Sequence, residues 1–226
     1  RYGSSNAGRM KHIYRVGLGW RYGRMMQVIA GVHYNISLGD GFWRRLHMIE
    51  GGGEELRAFR DDRYFGAIRN LLRLGWLVPY LFGASPAVCK SFFAGHESGM
   101  AEFDDRTAFE PWATSLRTSD IGYQNRKETE TGVVADYNSP AGYIASLERA
   151  IRTPAPLYER IGVRAGSDYR QLNANLLQIE NEYYSTVRPK QTPSGNERPT
   201  LALSRRGIGY IELRALDTDP FTPIGV

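Results

Sequence analysis

His33, Glu212 and Arg214 lie far apart along the chain, yet their types could share one piece of chemistry. An imidazole and a carboxylate are donors suited to a divalent cation, and a carboxylate-dominated set favours Mg2+ or Mn2+ over zinc. Glu212 and Arg214 are two residues apart inside the apolar run 208–216, so a strand there points both to one side. An acid in such a run is costly unless something neutralises it. A metal, a cavity or an ion pair with Arg214 would each suffice, and the ion pair is the simplest. His33, taken alone, is more often a hydrogen-bonded structural residue than a ligand.

Other residues carry weaker signals. Glu180 and Glu182 flank Asn181 in an otherwise apolar stretch, with the same ambiguity as Glu212. Arg188 and Lys190, two residues apart, could clamp a phosphate or merely form a solvated face. Cys89 is the only cysteine, which excludes an internal disulfide and a multi-cysteine zinc site. It reads as a small packed apolar residue in a reducing compartment. The glycine-rich stretches 17–23 and 51–53 have neither P-loop nor dinucleotide spacing, and no GxSxG elbow occurs.

The elements that must position these residues follow from periodicity. Residues 27–38 alternate with period two, placing Val28, Ala30, Val32, Tyr34, Ile36 and Leu38 on an expected core face and Gln27, Ile29, His33 and Asn35 on the other. Residues 208–216 form a second strand, with apolar residues on both faces. A third is expected over 176–184, with Gln178, Glu180, Glu182 and Tyr184 on one side. Three- and four-residue spacing of Leu56, Phe59, Arg63, Ala67, Leu71 and Leu74, with Tyr64, Ile68 and Leu72 beside them, predicts a long helix stopped by Pro79 and Pro86. Ser139 and Pro140 open another helix, carrying Ile144, Leu147 and Ile151 and ending near Thr153. Residues 191–200 read as a surface loop within a single domain.

Composition bounds the rest. The 226 residues are 42% hydrophobic and 23% charged, which suits a folded globular chain and excludes disorder. The net charge is +5, and 25 of the 29 basic residues are arginine. They are scattered, so codon bias explains them better than nucleic acid does. No run nears the roughly 18 apolar residues of a membrane span, and the first residues lack a signal-peptide core. A cytoplasmic protein with no membrane or nucleic-acid partner is expected. The chain opens on Arg1 and stops at Val226 after a strand-like run, which reads as a fragment.

Five stretches also match as words, in order. YRVGLGWRYGRMMQVIAGVHYNIS (residues 14–37) is similar to the region around the QxIxGVHYNxS signature of bacterial glutamate–cysteine ligase. RNLLRLGWLVPYLFGASPAVC, ATSLRTSDIGYQN, LQIENEYYSTVRPK and GIGYIELRALDTDPFTPIGV resemble the same family, and together they cover nearly the whole chain.

The resemblance implies an α+β fold: a curved antiparallel sheet of the glutamine-synthetase-like type with flanking helices, incomplete at both ends. It implies ATP-dependent joining of the L-glutamate γ-carboxylate to the L-cysteine amine through a γ-glutamyl phosphate, in a protein expected to be a monomer. Carried over by position, His33 and Glu212 resemble metal ligands for Mg2+ or Mn2+. Arg214 resembles the catalytic base-type cation that steadies the transferring phosphoryl, with Arg15 assisting. Tyr14, Gln27, Ile29, Arg117, Tyr123 and Tyr184 resemble the surroundings of the cysteine substrate. The alternatives are a related carboxylate–amine ligase with another amine acceptor, and a non-catalytic basic binding protein. Family members are considerably longer, so the resemblance implies an incomplete metal site and little activity from this chain alone.

Overall fold

The computed structural model describes residues 2–93, 98–117, 119 and 133–226. Its helices are α1 (Asn6–Tyr22), α2 (Asp40–Ile49), α3 (Leu56–Leu74), α4 (Leu77–Phe82), α5 (Pro140–Ala150), α6 (Pro156–Glu159) and α7 (Pro199–Arg206). Its strands are β1 (Val32–Ile36), β2 (Ala87–Cys89), β3 (Ala101–Glu102), β4 (Thr107–Phe109), β5 (Arg164–Ala165), β6 (Asp168–Tyr169), β7 (Val187–Lys190) and β8 (Tyr210–Leu216). The fold is α+β, and its paired strands all run antiparallel: β1-β8-β7, β2-β4-β3 and β5-β6. Among the described residues, no helix is long and apolar enough to cross a membrane.

The chain divides into two compact units. The first comprises Arg1–Ala30, Ala84–Val133 and Arg149–Tyr184, the second Gly31–Gly83, Val134–Glu148 and Ser185–Val226.

In the first unit, α1 begins at Ser5, whose hydroxyl accepts the Gly8 N–H at 3.1 Å. Three glycines within the helix weaken its intrinsic propensity, so tertiary packing must hold it. Gly17 shows how: a Cβ there would collide with the Gln178 side-chain amide. The Arg21 and Glu182 side chains, both 0% exposed, pair at 3.0 Å. The Arg21 fork also donates to Gln171 Oε1 at 2.9 Å and to the Asn173 carbonyl at 2.8 Å, and it stacks over the Tyr158 ring. Glu182 accepts from the Tyr22 hydroxyl at 2.9 Å and from the Gln178 N–H at 2.7 Å. Burial pushes the Tyr22 phenol far above its usual range, with the Glu182 charge adding to the shift. Burial likewise pushes the Glu182 carboxyl upward, opposed by Arg21 and the donated hydrogen bonds.

This network corrects the strand expected over 176–184. The segment holds a short 3-10 turn, Glu180–Glu182, and Glu182 anchors α1 instead of lining a strand face. Cys89 is likewise not packed away: it is exposed on β2, with its sulfur 3.1 Å from the Ser91 hydroxyl.

In the second unit, α3 runs as the spacing predicts. The Glu55 carboxylate caps it, accepting from the Arg57 and Ala58 N–H groups, and Phe59, Tyr64, Phe65 and Ile68 form its buried face. The helix stops at Gly75 rather than at a proline, and Pro79 sits inside α4. Ser139 caps α5 as expected, its hydroxyl accepting the Gly142 N–H at 3.0 Å. Leu213, Ala215 and Leu216 of β8 pack with Val32, Val78 and Val226. The strand expected over 27–38 is shorter. Residues Met25–Val28 form a 3-10 turn, and extended pairing begins at Val32. Its expected core face is largely uncovered: Tyr34 is 57% exposed, and Val28, Ile36 and Leu38 are exposed as well.

Replacing Arg21 by Met strands a buried carboxylate and should destabilise the first unit by about 3–5 kcal/mol in urea denaturation. The Arg21→Met/Glu182→Leu double variant should recover most of that loss. Equal losses in the single and double variants would contradict a coupled buried pair.

Candidate functional site

The polar residues of the second unit gather because β8 is the central strand of β1-β8-β7. Asn35 of β1 and Arg188 of β7 both stand opposite Glu212, and Lys190 stands opposite Tyr210. Alternation then puts His33, Asn35, Arg188, Lys190, Tyr210, Glu212 and Arg214 on one face of the sheet. Val187, Ile211, Leu213 and Ala215 take the other face and are buried. Pro189 has no N–H to give a ladder, which suits β7 to the sheet edge it occupies.

His33 sits where the register shifts. Between Val32 and Tyr34 there is one residue, whereas Leu213 and Leu216 are separated by Arg214 and Ala215. Such a bulge re-aims side chains, and here it turns Leu216 to the apolar side while Arg214 stays beside His33. The Arg214 Nε–H donates to His33 Nε2 at 3.4 Å, which assigns the ring proton to Nδ1. That nitrogen lies 3.7 Å from Glu212 Oε1. The other carboxylate oxygen is 3.5 Å from Lys190 Nζ and 3.7 Å from Arg214 Nε. The Glu212 and Arg214 side chains are 13% and 14% exposed, so water screens these charges only partly. Burial holds the Lys190 amine below the usual lysine range; Arg188 and Arg214 push the same way, and Glu212 opposes them.

Two side chains of α3 fix the strands from behind. The buried Tyr64 hydroxyl accepts the Leu38 N–H at 3.1 Å and donates to the Gly209 carbonyl at 3.4 Å. These two backbone groups lie two residues beyond the last Ile36–Ile211 pair, so one hydroxyl bridges β1 and β8 where their own ladder ends. Asp61 accepts the Ile208 N–H at 2.8 Å, and burial pushes its carboxyl upward against that bond and two nearby arginines. Gly207 there has φ 71°, and a Cβ would collide with the Asp61 carboxylate.

His33, Glu212 and Arg214 are thus brought together in the second unit, both with the expected Arg214 ion pair and beside an imidazole. Among the described residues no group of three His, Cys, Asp or Glu is placed to hold a metal ion, so His33 and Glu212 supply two donors. The remaining residues to which the family resemblance gives roles belong to the first unit. Tyr14 and Arg15 lie on α1, where the Tyr14 carbonyl accepts from Gln178 Nε2 at 3.4 Å. Gln27 donates to the Arg15 carbonyl at 3.3 Å, and the two side chains share a cleft of about 560 Å³ with His12, Gly19, Trp20 and Arg24. Ile29 follows the 3-10 turn, so neither it nor Gln27 shares a strand face with His33. Arg117 is buried and Tyr184 half-buried. Tyr123 lies outside the described residues.

Asn35, Arg188, Lys190 and Tyr210 join the face without having been singled out as a group. The signal was the period-two placement of Arg188 and Lys190 around Pro189, which the reading of the pair as a solvated face beside the 191–200 loop concealed. Neither cation belongs to a solvated surface: Arg188 is buried and Lys190 half-buried.

The family model for glutamate–cysteine ligase matches residues 1–226. Glutamate–cysteine ligases from Alcanivorax borkumensis and Hahella chejuensis are each 52% identical to the chain over its whole length. The chain spans 43% and 42% of their respective lengths. A crystal structure of the Francisella tularensis glutamate–cysteine ligase in complex with AMP superimposes with a TM-score of 0.87 at 40% identity, over 99% of this chain and 43% of that one.

In metal-free protein, Glu212→Gln removes a neighbouring carboxylate that raises the Lys190 pKa, so the lysine 13Cε titration should move to lower pH; an unmoved or rising midpoint would contradict the geometry. Tyr64→Phe leaves the Leu38 N–H and Gly209 carbonyl without their bridge and should cost about 1–3 kcal/mol. Amide exchange at Leu38 should accelerate in that variant, and unchanged exchange would show that the hydroxyl does not close the ladder.

Proposed function

This chain belongs to the glutamate–cysteine ligase family, and from that premise we propose that it carries part of an enzyme joining the L-glutamate γ-carboxylate to the L-cysteine amine at the expense of ATP. The products are γ-glutamylcysteine, ADP and phosphate, formed by a cytoplasmic protein acting as a monomer. The observation that carries the reading is the convergence of His33, Glu212 and Arg214 within 3.4–3.7 Å on one sheet face. The antiparallel β1-β8-β7 sheet supports a place in a curved sheet of the glutamine-synthetase type.

The chemistry asks for positive charge where a carboxylate approaches a triphosphate, and for an amine held close to the mixed anhydride. His33 and Glu212 fit as two donors for Mg2+ or Mn2+, since an imidazole and a carboxylate on neighbouring strands already face one another. A divalent cation held there would neutralise charge on the phosphoryl oxygens. Arg214 needs no such helper for its part. Its guanidinium is permanently charged, held by the sheet and partly shielded from water, so it stabilises a developing oxyanion without reorganising. In the first unit, Arg117 suits a substrate carboxylate; Tyr14, Tyr184 and Gln27 suit polar groups of the cysteine, and Ile29 offers an apolar wall. Tyr123 belongs to the same set, and Arg15 assists the phosphoryl transfer.

The test uses the intact protein with ATP, glutamate, cysteine and Mg2+, following γ-glutamylcysteine and ADP together. Product should form, and Arg214→Met should lower kcat about 10²–10³-fold, the range seen when one transition-state donor is removed. Absence of product with cysteine, but formation with 2-aminobutyrate, would point to the other acceptor class. No ADP release with either amine would overturn the ligase reading.

A further inference from the structure

Within the first unit, one face of α1 is marked by burial: Gly17, Leu18 and Arg21 are buried, and Tyr14, one turn earlier, is half-buried. Positions recurring at three and four residues form the stripe that a helix lays on its neighbour. That neighbour is the stretch 171–182. The Arg21 fork ties Gln171, Asn173 and Glu182 to the last turn of the helix, while Gln178 meets its middle. Gln178 is only 4% exposed, and its side-chain amide works at both ends: Oε1 accepts the Leu172 N–H at 3.0 Å, and Nε2 donates to the Tyr14 carbonyl at 3.4 Å. Its backbone is held as well. The Gln178 N–H donates to Glu182 at 2.7 Å, and its carbonyl accepts from Asn173 at 3.0 Å.

The space that this amide fills exists because residue 17 has no side chain, a Cβ there colliding with the Gln178 oxygen. Glycine inside a helix costs about 1 kcal/mol relative to alanine, and Gly17 has no positive φ to accommodate. Close approach is its structural use. Tyr14 stands at one end of the contact, and Tyr184 follows Glu182 by two residues at the other, half-buried. The depth at which α1 rests on Gln178 therefore sets how far apart the two tyrosines stand.

We propose that Gln178, seated in the notch left by Gly17, is a positioning residue for the amine-acceptor pocket, fixing Tyr14 relative to Tyr184. The inference rests on the reading of those tyrosines as neighbours of the cysteine substrate. Gln178 itself touches no substrate in this account. It acts through the helix that carries Tyr14.

The test compares Gly17→Ala with wild type in the intact protein. Alanine favours the helix, so a loss in this variant cannot come from a weaker α1. Pocket walls bind the acceptor alike before and during reaction, so the KM for cysteine should rise about tenfold while kcat and the KM values for ATP and glutamate stay within about twofold. Exchange of the Leu172 amide, held by Gln178 Oε1, should accelerate. Gly17→Ala/Gln178→Asn, whose amide is one methylene shorter, should recover most of the KM. Should Gly17→Ala fail to fold, Gln178→Glu keeps the volume, sets an oxygen against the Tyr14 carbonyl and should raise the same KM. Faster Leu172 exchange with an unmoved KM for cysteine would overturn the positioning role. So would a fall in kcat with every KM unchanged, which is what a merely structural loss of active protein gives. Either result in a wild type that turns over leaves the ligase reading intact, whereas a wild type that makes no γ-glutamylcysteine removes that reading and the positioning role with it.

Discussion

Glu212 is the group on which the polar sheet face depends, because among the described residues of that face it is the one carboxylate beside the cations that the strands bring together. Its two oxygens divide the work. One faces the His33 ring at 3.7 Å, the other faces Lys190 and Arg214 at 3.5 and 3.7 Å. Without the acid, burial of Arg188 and partial burial of Lys190 and Arg214 would be repulsive as well as desolvating. With it, Lys190 and Arg214 both have a carboxylate within ion-pair distance.

That arrangement makes β8 expensive to misplace. A one-residue slip in antiparallel pairing would send Glu212 and Arg214 to the apolar side and Leu213 to the polar one. The register is accordingly held at both ends of the β1–β8 pair. At one end the Tyr64 hydroxyl spans Leu38 and Gly209, and Asp61 holds the Ile208 N–H. At the other, the extra residue on β8 beside His33 restores Leu216 to the packed side while Arg214 remains on the polar one. The first device comes from α3, where Tyr64 and Asp61 lie on the buried side.

What was legible in the residues follows from which interactions are local. The strand at 208–216 was readable because period two over a run of that length leaves few alternatives, and α3 because its apolar spacing is sustained over many turns. The caps at Ser139 and Pro140 are short-range chemistry and were equally plain. Glu182 was not readable: its meaning depends on Arg21, 161 positions away, and nothing in the local alternation distinguishes a strand face from an anchor. Likewise α1, with three glycines and little apolar periodicity, is a helix made by its surroundings, Gly17 fitting against Gln178. Alternation also told which residues of β1 share a face without telling whether that face is covered, and Tyr34 and Ile36 show that it is not.

The candidate site divides along the same line. His33, Glu212 and Arg214 could be nominated from type and spacing, and the family resemblance gave them roles; their proximity is a consequence of pairing between strands at the two ends of the sequence. Arg188 and Lys190 were visible as a phosphate clamp in outline but were discounted because a pair of cations beside a loop is usually a solvated face. The discount fails for a specific reason. Pro189 breaks no strand when it sits at a sheet edge, so Val187–Lys190 can extend, bury Val187 against the core and turn both cations onto the face that Glu212 occupies. Pro189 thus sits inside the edge strand, between the two cations that face Glu212 and Tyr210.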